Sequence, residues 1–337
     1  MYLPLHRSLM ALCGLCWLLI PLSVAGQCIK GDCDTGEGVY AYPNGDQYKG
    51  AWRSAKRHGN GEYIARNGDK YVGEWKNDLQ EGTGVFTYAN GDVYEGTFKA
   101  GKMEGFGTMR FGNGGTYSGA WVGNVQNGQG TLSYPNGTEI KGIWTDGVVK
   151  GTAKYLYPNG DLYEGDYANN KRNGVGKMTT ADGDIYEGQW VDGQKHGQGK
   201  MSYATGVIYE GTFSQGRLSG MGTLTTPGGS FYTGNFLNGK YHGQGKLVHA
   251  NSDVYEGEWL NGKKHGQGVY AYSDGSRYEG DWVMDQRHGE GSYAYANGDL
   301  YEGQFNSGKA HGKGTLKKKS GQVLKGVFLY GQFDHEE

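Results

Sequence analysis

The chain contains twelve consecutive copies of one 23-residue unit, from Tyr48 to Val323, with no insertion or deletion between them. Counting Tyr48 as position 1, glycine occupies positions 3 and 12 of every copy, and position 14 is glycine except at Ala153. Self-similarity at a short fixed period is the signature of a repeat array, in which each unit packs mainly on its neighbours. The repeat leaves little of the chain for an enzyme domain.

Two aromatic columns accompany the glycines. Position 1 is tyrosine in eleven copies and isoleucine at Ile140, while position 5 is aromatic in all twelve. Aliphatic residues are scarce, so we expect these rings to supply the core. The predicted core residues are Tyr48, Trp52, Tyr71, Trp75, Tyr94, Tyr117, Trp121, Tyr163, Tyr186, Trp190, Tyr209, Tyr255, Trp259, Tyr278, Trp282 and Tyr301.

Alternation of large or glycine residues with polar ones, as in residues 197–203, predicts β-strands with one polar face. Most copies then carry Asn-Gly-Asp or a close variant, as at residues 44–46, which suits a tight turn. The predicted fold is all-β: an elongated, twisted, single-layer antiparallel meander of about a dozen hairpins.

A definite strand register follows from one assumption about the turn. If Tyr203 faces Tyr209, then Met201 faces Gly211 and Gly199 faces Phe213. Each large side chain would then lie across from a glycine, which would explain the glycine columns.

The segments outside the repeat have different characters. Residues 1–26 combine His6 and Arg7 with an apolar stretch over 9–22 and small residues at 25 and 26, which predicts a secretory signal peptide cleaved near residue 25–26. An uncleaved anchor is the alternative. Lipid attachment at Cys28 is disfavoured because Gln27 precedes it. The expected location is exported: periplasmic, at the cell envelope or secreted.

Residues 27–47 form a predicted cap with a half-repeat, and residues 324–337 a second half-repeat and tail. Cys13 and Cys16 fall within the predicted signal, which leaves Cys28 and Cys33 as a pair. In an exported protein such a pair predicts a disulfide. A zinc site is the alternative, but two thiolates without a nearby histidine supply too few ligands.

The pattern Tyr-Glu-Gly-x-Trp-x-x-Gly-x-x-His-Gly-x-Gly, present over residues 186–199 and 255–268, resembles the MORN (membrane occupation and recognition nexus) repeat family. The resemblance covers nearly all of the chain after the predicted signal. It implies hairpin units that build a sheet, and roles as scaffolds, dimerisation modules or attachments to membranes and partner proteins.

One region departs from the pattern. Ile140 replaces the first tyrosine, Ala153 replaces a glycine, and Val148 and Val149 stand where a polar turn is expected. This cluster, Ile140, Val148 and Val149, is a candidate partner surface or bend. Drift within the array is the alternative.

Columns of polar residues offer candidate chemistry. Six histidines share position 11, but equivalent residues in successive hairpins should lie about 9.6 Å apart, too far to share one zinc ion. A structural role or a collective response below about pH 6.5 are the remaining interpretations. Glutamates recur at position 2 and aspartates at position 22, yet no pair is unique enough for glycoside hydrolysis, and the turns lack a calcium-loop pattern. We therefore predict no catalytic, metal or cofactor site.

Charge narrows the choice of partners. With 33 basic and 35 acidic residues spread along the chain, nucleic-acid binding is not expected. The favoured function is a non-enzymatic exported scaffold that binds a protein partner or another copy of itself. The alternative is direct binding of anionic lipid head groups or polysaccharide, which would require exposed rings.

Overall fold

A computed structural model describes residues 25–336, and every regular element in that span is a β-strand. The predicted signal peptide lies outside the described residues except for its last two, and so do Cys13 and Cys16. The described chain divides into two units, residues 25–112 and 113–336. Within each unit, successive strands pair antiparallel with their neighbours in sequence. The prediction of an all-β antiparallel meander of tandem hairpins is confirmed.

The first unit contains eight strands. They are β1 (Gln27–Gly31), β2 (Glu37–Ala41), β3 (Gln47–Arg53), β4 (Lys56–Ile64), β5 (Lys70–Lys76), β6 (Leu79–Thr87), β7 (Val93–Lys99) and β8 (Lys102–Arg110).

The second unit contains twenty strands. They are β9 (Thr116–Val122), β10 (Val125–Ser133), β11 (Glu139–Thr145), β12 (Val148–Leu156), β13 (Leu162–Ala168), β14 (Lys171–Thr179), β15 (Ile185–Val191), β16 (Gln194–Ser202), β17 (Ile208–Ser214), β18 (Arg217–Thr225), β19 (Phe231–Leu237), β20 (Lys240–Val248), β21 (Val254–Leu260), β22 (Lys263–Ala271), β23 (Arg277–Val283), β24 (Gln286–Ala294), β25 (Leu300–Asn306), β26 (Lys309–Lys317), β27 (Val323–Leu329) and β28 (Gln332–Glu336).

The turn that joins one 23-residue repeat to the next fixes a strand register different from the predicted one. The Gly206 amide donates to the Tyr203 carbonyl at 2.8 Å, and the Tyr203 amide donates to the Val207 carbonyl at 2.8 Å. Gly206 has φ +85°, so the loop is a turn closed by a glycine bulge. This loop is longer than a two-residue hairpin, and pairing begins at Ser202 and Ile208.

The predicted cross-strand pairs are therefore wrong. Met201 faces Tyr209, Gly199 faces Gly211, and Gly197 faces Phe213. Glycine at position 14 faces glycine at position 3, and the large residue at position 16 faces the ring at position 1, whereas the glycine at position 12 faces the ring at position 5. Because the shift is two residues, the predicted faces of the strands are unchanged.

A second turn closes each hairpin at positions 7 and 8. In the unit that starts at Tyr186 it is Asp192-Gly193, with φ +49° and +82°. Two successive positive φ values define the type I′ turn that matches strand twist. The strand after this turn has nine residues against seven before it, and the surplus forms a bulge near Gly197.

Within residues 25–336 there is no helix with the length and apolar character needed to cross a membrane.

Candidate interaction surface

The two faces of the sheet differ in burial. We call the inner face the side that carries positions 1, 3, 5, 14 and 16, and the outer face the side that carries positions 2, 4, 6, 13, 15 and 17. All sixteen predicted core aromatics lie on the inner face and are at most 7% exposed. The tyrosines at position 1 are 0 or 1% exposed.

The unit that starts at Tyr186 shows how the inner face is built. The Tyr186 ring lies over two glycines, because a Cβ at Gly199 would be only 2.5 Å from its hydroxyl oxygen. The hydroxyl donates to the Gln189 carbonyl at 2.9 Å. The ring meets Trp190 edge-on at 5.1 Å and Phe213 of the next unit at 5.0 Å. The glycine columns therefore make room for tyrosine rings.

Where position 5 is tryptophan, its indole can link one 23-residue repeat to the previous one. Trp190 Nε1 donates to the Gly176 carbonyl at 3.1 Å, and Trp259 Nε1 makes the same bond to Gly245. Burial raises the pKa of Tyr186 to about 12, since the ionised phenol would lose its hydration. The tyrosine and tryptophan rings therefore serve to pack the core of the fold.

Position 10 contributes a set of residues that the sequence did not reveal. Lys195 Nζ lies 5.0 Å from the Tyr186 ring centroid, and Arg172 lies 4.4 Å from that of Trp190. Burial lowers the pKa of Lys195. These cations cover the aromatic column by cation–π contact instead of facing solvent. The recurrence of long side chains at position 10 was the available signal.

In the irregular 23-residue repeat, which starts at Ile140, the core is packed differently. Val149 is 6% exposed and pairs with Trp144, so its assignment to a partner surface is wrong. Its side chain points inward because the turn falls at Asp146-Gly147, not at Val148-Val149. Ile140 and Val148 are partly exposed.

Ala153 explains the missing tyrosine in the same unit. Its methyl group lies 3.0 Å from where a Cβ on Gly142 would stand, and Ala153 is 4% exposed. In the other units this space holds the tyrosine ring. Ile140 and Ala153 are therefore complementary changes, and the bend or partner contact that we considered is not needed to explain them.

The histidines do not converge. In the described part of the chain there is no cluster of three or more His, Cys, Asp or Glu side chains suited to a metal. The Nδ1 atoms of His58, His242 and His265 are buried without a hydrogen-bond partner. His196 faces Gln189 and His288 faces Asp281 across the bulge, as expected for residues that belong to the strands.

Where position 22 is aspartate, its carboxylate bonds one turn to the next, in seven repeats. Asp184 Oδ1 accepts from the Ala204 amide at 2.9 Å, 20 residues along the chain. Asp253 accepts from the Ser273 amide at 2.8 Å, and that bond is the main reason why its pKa falls to about 2. These carboxylates are hydrogen-bond acceptors between turns, a role not foreseen from the sequence.

The amino-terminal cap contains the predicted cysteine pair. A disulfide joins Cys28 and Cys33, whose Cα atoms are 5.9 Å apart. It closes the segment between β1 and β2, which pair with each other. The bond therefore holds β1 against the start of the array.

The outer face is exposed and carries charged side chains together with some apolar ones. Lysine at position 15 and glutamate at position 2 form ion pairs across neighbouring strands, such as Lys177–Glu187 at 2.8 Å and Lys246–Glu256 at 3.2 Å. Exposed pairs of this kind contribute little to stability. A shallow cavity of about 520 Å³ lies on this face over Gly211 and Gly222.

A smaller cavity of about 260 Å³ lies on the inner face of the first unit, beside Ala65. Tyrosine stands at the equivalent position in Tyr42 and Tyr88. The walls include Arg57 and Trp75, which are already in contact with each other at 4.2 Å.

These features define an all-β protein of tandem hairpin repeats. The MORN repeat model matches residues 35–47, 48–70, 71–93, 94–116, 117–139, 141–162, 163–185, 186–208, 209–231, 232–254, 255–277, 278–300 and 301–323. The chain belongs to the MORN repeat family, and the resemblance drawn from its sequence is confirmed.

No curated protein sequence matches the chain. Among solved structures it is similar to the G-box domain of the microcephaly protein CPAP, with 14% identity, a TM-score of 0.35, and coverage of 60% of this chain and 100% of that one. The TCP10 domain of Danio rerio CPAP with a STIL peptide gives 12% identity, a TM-score of 0.27, and coverage of 86% and 97%. Streptogramin B lyase gives 11% identity, a TM-score of 0.13, and coverage of 90% of this chain and 87% of that one. These TM-scores are too low to carry an argument.

Proposed function

We propose that this protein is a non-enzymatic, exported scaffold whose outer face binds a protein partner or a second copy of itself. The observation that carries the proposal is that the inner face is buried in the fold whereas the outer face is exposed. The aromatic columns are buried in the fold. What the chain offers to other molecules is a repeated, exposed outer face, the arrangement that repeat proteins use for binding.

Burial of the rings also bears on the alternative function, which is direct binding of a polysaccharide or of anionic lipid head groups. A glycan platform needs exposed aromatic faces, whereas Trp190 is 3% exposed and Tyr209 0% exposed. An anionic lipid surface needs net positive charge, whereas lysines on the outer face alternate with glutamates. A protein partner therefore fits this surface better than a lipid or a polysaccharide.

A photo-crosslinking residue at Thr233, on the outer face, tests the proposal in cells that express the full tagged chain. The matched control carries the same residue at Gln215, which lies in an exposed turn. We expect one reproducible protein adduct, identified by mass spectrometry, from Thr233 and none from Gln215. Equal, unspecific adducts from both positions would contradict a scaffold with a defined binding face.

Export is tested separately. The mass of the mature protein, recovered from the envelope or the medium, should correspond to cleavage near residue 25 or 26. An intact amino terminus in the cytoplasmic fraction would refute export.

A further inference from the structure

The outer face of the second unit carries one row of alternating charge. Positions 15 and 2 pair across every strand boundary, which aligns them in a single row. Between β14 and β21 the row contains, in order, Lys177, Glu187, Lys200, Glu210, Thr223, Thr233, Lys246 and Glu256. Two threonines interrupt the alternation, and their hydroxyl oxygens are 3.1 Å apart.

Exposed apolar side chains surround this interruption. Ile208 is 38% exposed, Met221 57% and Phe231 37%. Ile208 and Met221 line the cavity of about 520 Å³. We call this area, with Thr223 and Thr233, the neutral patch. Exposed apolar side chains grouped around an uncharged centre are typical of interaction sites.

The charges on the two sides of the neutral patch are opposite. Counting strands outward from its centre, between β18 and β19, Glu210 and Lys246 stand at equal distances on opposite sides. Lys200 and Glu256 stand one strand further out on each side. A two-fold axis that lies parallel to these strands, above the outer face, exchanges the two sides.

We propose that a second copy of this chain covers the neutral patch, outer face against outer face, about this axis. Glu210 then meets Lys246 of the second copy, and Lys200 meets Glu256 of the second copy. The inference rests on the proposed scaffold function and names its partner.

The arrangement agrees with how stable interfaces are built. Sheets pack face to face at about 10 Å with strands nearly aligned. The uncharged patch occupies the centre, where burial of an ion pair would incur a desolvation penalty, and the charged residues form a polar rim. Between β14 and β21, three lysines balance three glutamates in the row, so an anionic surface is a poorer match than a second copy.

Charge reversal tests the pairing in the full chain, with analytical ultracentrifugation as the readout. Glu210→Lys places lysine opposite lysine, and Lys246→Glu places glutamate opposite glutamate. We expect each variant alone to self-associate at least about tenfold more weakly than the parent. An equimolar mixture of the two variants should recover association, because every pair across the interface is then of opposite sign.

Glu187→Lys is the matched control. It reverses a charge in the same row and breaks the ion pair with Lys177, but it would face Val269 of the second copy. We expect its association to equal that of the parent. Circular dichroism checks that all variants are folded. Met221→Asp, in the neutral patch, should abolish association independently of the charge row.

Three results would overturn the proposal: a monomeric parent at about 100 μM, unchanged association of the reversed variants, or no recovery in their mixture. A monomeric chain that still yields one protein adduct at Thr233 would retain the scaffold function and reject the second copy as partner. A monomeric chain that also yields no reproducible protein adduct at Thr233 would reject both the second copy as partner and the scaffold function.

Discussion

The fit of a tyrosine ring over paired glycines makes a quantitative prediction for Gly199→Ala. The new methyl group would lie 2.5 Å from the Tyr186 hydroxyl oxygen and 2.6 Å from Cε2. Tyr186 is 1% exposed and held at both its edges and its hydroxyl, so it cannot move aside. Overpacking of this kind costs about 1–3 kcal/mol, and a rigid neighbour places the cost near the upper value.

Tyr186→Ile removes the ring that causes the clash. It loses two edge-on aromatic contacts of about 0.5–1.5 kcal/mol each and one hydrogen bond of about 1 kcal/mol. With the cavity included, we expect a loss of about 3–5 kcal/mol. The double variant recreates the natural pair Ile140 and Ala153, so the two changes should not add. We expect it to be about 2 kcal/mol more stable than the sum of the single effects predicts.

Urea unfolding followed by tryptophan fluorescence measures all three free energies of unfolding. Gly228→Ala is the control, since a Cβ there would have no atom within 4 Å and the expected change is within about 0.5 kcal/mol. Additive losses in the double variant, or an undisturbed Gly199→Ala, would refute the account of the glycine columns.

The remaining predictions concern titration and the cap. Because the Ser273 amide and other donors hold the pKa of Asp253 at about 2, against an ordinary 3.8, this carboxylate stabilises the fold above pH 4 and loses that contribution as the pH falls towards 2. Its NMR titration should show the low pKa, and Asp253→Asn should flatten the dependence of stability on acid pH. Burial raises the pKa of Tyr186 to about 12 from 10.0, so the neutral phenol stabilises the fold below pH 10 and that contribution disappears between pH 10 and 12. Phenolate absorbance should then appear together with unfolding. Reduction of Cys28–Cys33 should increase hydrogen exchange in β1 and β2 alone, because the disulfide constrains a loop of few residues.

Each of these has an outcome that contradicts it. An Asp253 pKa near 4 would remove the inter-turn bond as its cause. Phenolate formation at pH 10 in a folded chain would contradict burial of the tyrosines. Faster exchange throughout the array after reduction, with Cys28→Ser as the control, would mean that the cap supports more than its own two strands.

The period, the fold class and the buried face could be predicted because each depends on a pattern within one unit. Glycine and tyrosine recur at fixed positions, and alternation fixes which side chains share a face. The register could not be predicted in the same way. A two-residue hairpin and a turn with a glycine bulge use the same Asn-Gly chemistry, and only the hydrogen bonds of Tyr203 distinguish them.

Errors about single residues had a similar origin. Val149 was assigned to a partner surface because the second turn was placed two residues too late. Lys195 lies against the Tyr186 ring, although lysine usually faces solvent, because position 10 pairs with Trp190 on the inner face. The hydrogen bond from the Ala204 amide to Asp184 joins residues 20 apart, and no local sequence pattern predicts a contact at that separation.

The bond between turns also limits how a chain of this kind can change its length. Asp184 reaches an amide 20 residues ahead, and Trp190 reaches a carbonyl 14 residues behind. Both distances are preserved only when whole units of 23 residues are gained or lost. A single residue inserted in a strand between Asp184 and Ala204 would break the aspartate bond and turn the side chains that follow it in that strand to the opposite face. Tandem duplication is therefore the step by which such an array lengthens, and its length changes in multiples of one hairpin.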